Sequence, residues 1–417
     1  MKNPASHAAI LSTGTELLQG RSVDTNSAWL SARLAENGIQ TVCHMTTGDC
    51  RKEILIALET AGSCADIIIC NGGLGPTDDD LTRECAAQFC KRELIEIPEE
   101  RIILEEKYLS RTRTPGDSNL RQAFFPEGAE IIANPAGTAA GFAVLHQKKL
   151  YIFIVGVPRE MKTMFDTGVL PLLKQHKMVD PNPPHRHIFK MAAVSESTAG
   201  ETFFPICRDA GVECGITISE GILSAALWSV NEESIHRACA NVRQAFGSRI
   251  FSETRESLEQ SVVRRFIESG QTLGAAESCS GGRISSFVTS VPGASQIFQG
   301  SVVAYSNPLK TNLLGVSQAT LDQHGAVSLK TAGEMAEGVR MNLVADIGIS
   351  VTGIAGPGGG TPEKPVGTVC FGLSTESGTR TETRTFHGDR NVIQDRSAKY
   401  ALFLLHQHLT ENSGELK

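Results

Sequence analysis

The groups in this 417-residue chain best suited to covalent chemistry lie near residue 300. "GASQIFQGSVVAYSNPLK" (293–310) reads as loop, strand and loop, and it ends in a lysine at a loop–helix junction. A serine attacks an amide carbon only if something removes its proton. A lysine can do so when burial or a neighbouring cation lowers its pKa, and Ser–Lys pairs are a known variant of the catalytic triad. Ser295 and Lys310 stand 15 residues apart across one expected strand. They meet only if the chain folds back or a neighbouring subunit contributes. Spacing alone is a weak signal for that pair, and a surface lysine is the commoner reading of Lys310.

"AESCSGGR" (276–283) runs from a strand into a helix. Ser278, Ser280 and the amides of Gly281 and Gly282 form a candidate nest for a phosphate or an oxyanion. Cys279 is a candidate nucleophile at a helix start, where a thiolate is stabilised. With no histidine nearby in the sequence, a packed cysteine is the favoured reading. "VTGIAGPGGGTPEKPVGT" (351–368), which includes Gly356, is a long Gly/Pro loop between two expected strands. Such loops are usually functional or disordered, and the flanking strands favour the wall of a site.

In the first third, glycine loops follow strand ends: "STGTE" (12–16), "TTGD" (46–49) and "NGGLGPTDDD" (71–80). Open α/β sheets bind ligands at the carboxyl ends of their strands. Gly72, Gly73 and Gly75, with Thr77 in the same loop, let backbone amides approach an anion. Asp79 and Asp80 follow at a helix start. Capping is the ordinary use of such acids, but three adjacent acids exceed what a cap needs, so a hard divalent cation is a candidate ligand.

The elements that must position these groups follow from periodicity. The opening segment alternates short apolar strands with amphipathic helices such as "DTNSAWLSARLAENG", an order that predicts a doubly wound, mainly parallel sheet. "GFAVLHQKKLYIFIVGVP" reads as a hairpin, and "REMKTMFDTGVLPLLKQH" as a helix with a break near Pro171. "MVDPNPPHRH" (178–187) is the expected linker. Three domains are expected: 1–177, a small α+β module at 178–255, and 256–417. "AAVSESTAG" (192–200) echoes "GAAESCSGG" (274–282) and is read as a second capping turn rather than a repeat.

Composition narrows the function classes. A formal net charge of −7 argues against a nucleic-acid surface. The 11 cysteines are scattered, odd in number and without C-x-x-C spacing, which is neither a disulfide framework nor a zinc site. The first residues show no signal peptide, and no apolar run approaches bilayer length, so a cytoplasmic protein is expected.

Nearly the whole chain resembles the competence/damage-inducible CinA family. "NGGLGPTDDDLT" and "NPAGTAAGF" resemble its N-terminal domain, which is similar to MoaB/MogA-type molybdopterin-binding domains. "AESCSGG", "VPGAS", "VVAYSNPLK", "HGAVS", "VTGIAGPGGGTPEKPVGTV" and "GDR" resemble its C-terminal domain. The middle segment corresponds to a KH-like connector. The resemblance implies a C-terminal amidohydrolase that converts nicotinamide mononucleotide (NMN) to nicotinic acid mononucleotide and ammonia without a cofactor. For the first domain it implies an ADP-ribose pyrophosphatase using a divalent metal at Asp79 and Asp80, with potassium as a further candidate. The alternative there is a domain that only binds a nucleotide or pterin-like ligand, in an interaction protein linked to competence or DNA damage. Carried over by position, the nucleophile falls on Ser295 and the base on Lys310, with Tyr305 and Arg390 near the site. The resemblance further implies that glycine-loop amides hold the oxyanion and that the phosphate sits against the "ESCSGG" helix start. Expected partners are these small nucleotides, with neither nucleic acid nor membrane, in a homodimer. Two positions depart from the family: Ser280 stands where threonine is usual, and Ala140 where proline is frequent.

Overall fold

The computed structural model describes residues 6–110 and 114–413. The apolar run at the start of the chain forms β1 (His7–Thr13), whose residues from Ala8 onward are buried. A strand buried on both faces needs partners on both edges. It pairs in parallel with β2 (Gln40–Thr47) and β3 (Ile67–Asn71). After a small ribbon of β4 (Leu94–Glu96) and β5 (Phe124–Pro126), the sheet is completed by β6 (Glu130–Ile132), β7 (Gly141–His146) and β8 (Lys149–Ile154). Its order is β2-β1-β3-β8-β7-β6, parallel as far as β8 and antiparallel across the β7–β8 hairpin. The expected mainly parallel, doubly wound sheet is therefore present. The helix Thr25–Glu36 shows the local logic: Asp24 accepts the Ser27 amide at 2.9 Å, and Leu30 and Leu34 face the core.

Pro171 does not end its helix. The segment from Pro158 passes through a π-helical stretch, Phe165–Val169, into Leu170–Gln175. A proline removes one i→i−4 donor and crowds the preceding turn. A widened turn absorbs both defects while Phe165 and Val169 stay buried.

The chain divides into two compact units, the first ending at Pro184 and the second beginning at His185. The second opens with β9 (His185–Ala192), so the end of the expected linker is already strand. The Arg186 guanidinium lies over the Trp228 ring at 5.4 Å, which fastens that end. β10 (Glu213–Ser219), β11 (Ile222–Ser229) and β12 (Ile250–Ser252) complete a four-stranded sheet of order β10-β11-β9-β12. The helices Glu196–Ala210 and Glu232–Phe246 cover it around Phe189, Phe203 and Val242.

Five further strands form the last sheet: β13 (Leu273–Glu277), β14 (Phe298–Val303), β15 (Ile347–Gly353), β16 (Thr368–Thr375) and β17 (Gly378–Thr385). Their order is β14-β13-β15-β16-β17. The first three are parallel and the last two antiparallel. Alternation along β13 sends Leu273 and Ala275 into one apolar cluster with the helix Arg390–Ser413, and Ala276 into another with Met335 and Val339. The sheet is thus covered on both faces, and the carboxyl ends of β13, β14 and β15 are where loops can build a site. No helix among the described residues is long and apolar enough to cross a membrane.

Candidate functional site

The fully buried β13 delivers Glu277, Ser278 and Cys279 at its carboxyl end. The chain then turns sharply through Gly281 and Gly282, both at positive φ, into the short helix Arg283–Thr289. The Glu277 carboxylate is wholly buried and fills the start of that helix. It accepts from the amides of Gly282, Ile284 and Ser285 at 2.9, 3.1 and 2.9 Å, and from the hydroxyls of Ser280 and Ser285 at 2.8 and 2.6 Å. The orphan amides of the first turn and the positive end of the helix dipole are thereby satisfied from within.

Ser278 is consequently free of capping duty. Its amide donates to the Val351 carbonyl at 2.9 Å, which fixes it against β15. Its Oγ accepts from the Lys310 ammonium at 3.0 Å, and the same ammonium donates to the Ala304 carbonyl at 2.8 Å. Lys310 is 1% exposed, on the helix Asn307–Leu314 that follows β14. No carboxylate pairs with it among the described residues. Burial pushes its pKa below the ordinary lysine value, with the nearby Cys279 opposing that shift. Cys279 is itself buried, and burial pushes its thiol up to about 12. It rests as a thiol, which counts against a thiolate nucleophile.

Ser278, Cys279, Tyr305, Lys310, Gly356 and Arg390 line one cavity of about 270 Å³. The long Gly/Pro loop forms its wall. The Lys364 ammonium ties that loop down by donating to the carbonyls of His324 and Val327 at 3.0 and 2.7 Å, and the Gly367 amide closes its base on the Ile354 carbonyl. Arg390 donates to the Gly356 carbonyl and the Tyr305 hydroxyl, both at 2.7 Å, so an exposed guanidinium is held over the mouth.

Two expectations are corrected. Ser295 is not brought to Lys310 within the chain: it is exposed on the turn Ala294–Gln296 that precedes β14, whereas Lys310 follows β14. A strand of that length separates its ends by roughly 20 Å, and the parallel sheet puts Ser295 at the end opposite Ser278. The "ESCSGG" helix start is not an open nest either, since Glu277 occupies the Gly282 amide and the Gly281 amide donates to the Ser278 carbonyl. Ser280, Gly281 and Gly282 do not line the cavity.

Sequence reasoning missed Glu277 and Gln394. A capping acid that precedes its helix by several residues matches no N-cap pattern. Gln394 reaches from the last helix to donate to the Cys279 carbonyl at 2.7 Å, a contact across 115 residues with no local signal.

The first unit has its own cavity, of about 490 Å³, lined by Gly72, Gly73, Gly75, Asp79 and Asp80 among others. A Cβ on Gly72 would stand 2.5 Å from the Thr13 carbonyl oxygen, at a φ of 109°. A side chain is therefore excluded and the backbone lies open to the cavity. The buried Arg83 guanidinium supports the loop by donating to the Leu74 carbonyl at 3.0 Å, and it lies over the Phe125 ring. Thr77 does not line the cavity; its amide and hydroxyl donate to the Asp80 carboxylate at 2.9 and 2.5 Å. Asp78 pairs with Arg121. Glu16, Asp49 and Glu160 line the same cavity as Asp79 and Asp80, and all-oxygen donors suit a hard cation. Yet among the described residues no three His, Cys, Asp or Glu side chains converge as a metal-holding group. The donor chemistry fits a divalent ion and the convergence does not.

Comparison with known proteins agrees with this architecture. Residues 9–175 match the probable molybdopterin binding domain family, and residues 255–409 match the CinA C-terminal domain family. A putative competence-damage inducible protein of Halothermothrix orenii is 39% identical over 409 residues, covering 96% of this chain and 98% of that protein. A CinA-like protein of Geobacter metallireducens is 38% identical over 412 residues, with the same two shares. The solved structure of CinA from Thermoplasma acidophilum, described as of unknown function, is 30% identical. It covers 42% of this chain and 98% of that one, at a TM-score of 0.38. With relatives of this identity aligned along almost its entire length, the chain belongs to the CinA family, and it joins a molybdopterin-binding-type, MoaB/MogA-like first domain to a CinA-type C-terminal domain.

Proposed function

We propose that the C-terminal domain hydrolyses the carboxamide of NMN, with Ser278 as nucleophile and Lys310 as base. The observation that carries this reading is the buried 3.0 Å contact between the Lys310 ammonium nitrogen and Ser278 Oγ in the wall of the cavity. Burial depresses the lysine pKa, so the neutral amine is more accessible here than in a solvated lysine. Neutral Lys310 takes the Ser278 proton as Oγ attacks the carboxamide carbon. It returns that proton to nitrogen as the C–N bond breaks and ammonia leaves. A water, deprotonated by the same amine, then attacks the acyl-serine ester. The acid departs and Ser278 Oγ regains its proton. Neither step needs a metal. Arg390, steadied by Tyr305 and Gly356, is the cation for the 5′-phosphate.

The test is ammonia release from NMN by the full chain, run beside Ser278→Ala, Ser295→Ala and Cys279→Ala. Loss only in Ser278→Ala supports the assignment. Loss only in Ser295→Ala would move the nucleophile and require a second chain at the site. Loss only in Cys279→Ala would make the domain a cysteine hydrolase.

For the first domain, the glycine loop and its open backbone support binding of a pyrophosphate-bearing nucleotide such as ADP-ribose. Its acids would hold a divalent ion only together with oxygens of the ligand. Release of AMP from ADP-ribose that needs added Mg²⁺ or Mn²⁺ and falls in Asp79→Asn supports turnover. Tight binding without release leaves a binding domain, as an interaction protein would have.

A further inference from the structure

A cavity of about 560 Å³, larger than either of the others, lies in the second unit between the four-stranded module and the last helix of the C-terminal domain. It takes no part in the reaction above. Its walls are built: the Lys399 ammonium pairs with Glu220 of the β10–β11 hairpin, and Gln407 donates to the Ser248 hydroxyl at 3.3 Å. Ile222 of the module packs into the apolar cluster of the C-terminal sheet. The two modules are therefore fastened around the opening.

Its chemistry is specific. Arg249, Arg384, Arg396 and Lys399 line it against two carboxylates, Glu220 and Glu382, in a chain whose net charge is −7. Both carboxylates are engaged, Glu220 by Lys399 and Glu382 by Arg384 and the Tyr400 hydroxyl. Arg249 has no hydrogen-bond or ion-pair partner among the described residues. Arg396 makes one bond, from Nη1 to the His387 carbonyl, which leaves the rest of its guanidinium unused. One of these arginines comes from the small module and the other from the last helix. The rings of Phe386, Tyr400 and Phe403 line the same cavity, with Phe386 and Tyr400 edge to face at 5.9 Å and the Arg384 guanidinium over the Tyr400 ring at 5.2 Å. Unused guanidinium donors select phosphate oxygens, an aromatic wall selects a planar ring, and the volume suits a mononucleotide.

We infer that this cavity is a second ligand site, for a phosphorylated small molecule carrying a planar ring, held through its phosphate by Arg249 and Arg396. The ligand would bridge the connector and the C-terminal domain.

The experiment is hydrogen–deuterium exchange of the full chain with AMP as probe, read locally at residues 192–198, 218–222 and 394–402. AMP should slow exchange in these segments. Adenosine and ribose 5-phosphate, each lacking one half of the pattern, should need at least about tenfold higher concentration. Arg249→Ala combined with Arg396→Ala should raise the AMP requirement by a similar factor. Arg249 is exposed and unpartnered, so the single variant carries the test should the double variant unfold. Slowing confined to other parts of the chain, equal effects of adenosine and AMP, or an unchanged AMP requirement in the variants would overturn the assignment.

Discussion

Two strand-to-helix junctions in the second unit share a pattern of Glu, Ser and small residues but use their serines differently. At 192–200, Ser195 caps its own helix by accepting the Thr198 amide at 3.2 Å, and its hydroxyl meets those of Ser197 and Thr198. At 274–282, the buried Glu277 caps the helix, and Ser278 faces Lys310 instead. A serine that caps is committed to backbone amides. Transferring that duty to a glutamate one residue earlier leaves the hydroxyl available for chemistry. The contrast is between a serine that caps its helix and one whose hydroxyl is left to face a buried lysine, in nearly the same local sequence.

The comparison breaks most completely at Ser278. Ser278→Ala should lower NMN hydrolysis by about 10⁴ or more, because among the described residues no other hydroxyl accepts a hydrogen bond from Lys310. Steady-state ammonia release measures it, and residual activity near wild type would end the contrast. Lys310→Met should cost about 10²–10⁴ in the same assay. In the wild type the rate should rise with pH through a lysine pKa below 10.5, a limb that the variant loses.

Stability carries the opposite sign. The folded pKa of Lys310 lies below the unfolded value, so the unfolded chain binds more protons as pH falls from 10.5 through the folded pKa. Stability is lost over that window. Lys310→Met escapes the loss, and its advantage in urea denaturation should grow as pH falls to the folded pKa.

Glu277→Gln tests the scaffold. An amide NH₂ would replace one oxygen amid six donors, costing roughly 2–4 kcal/mol in urea denaturation. It should also lower kcat more than it raises KM, since Ser278 is then misplaced. Ser195→Ala sharpens the comparison from the other side. It should cost about 1 kcal/mol and leave ammonia release unchanged, whereas a large catalytic loss would show that the first junction is not merely structural.

Much of this architecture was legible in local pattern. The five strands of the last sheet, the β7–β8 hairpin and the glycine loop at Gly72 follow from apolar periodicity and turn residues. Lys310 was singled out from its own segment, Tyr305 and Arg390 only through the family resemblance, and the three share one cavity. What spacing could not supply was the end of the sheet to which each residue belongs. Ser295 and Ser278 flank β14 and β13, parallel neighbours, and only the register places Ser278 with the residues after β14. The π-helical stretch before Pro171 was hidden for another reason. Its alternative, a clean break, has the same local sequence, and the burial of Phe165 decides between them.

The Glu277 cap also bears on the order of events during folding. Its donors from Ser280 to Ser285 lie within eight residues of the carboxylate, whereas the contact between Ser278 and Lys310 spans 32 residues. Short loops close with less entropy loss than long ones, and local contacts form sooner. The turn that presents Ser278 is therefore expected to assemble ahead of its contact with Lys310. On the proposed mechanism, a chain still in synthesis would carry a shaped but inactive hydroxyl until the helix Asn307–Leu314 docks and delivers Lys310.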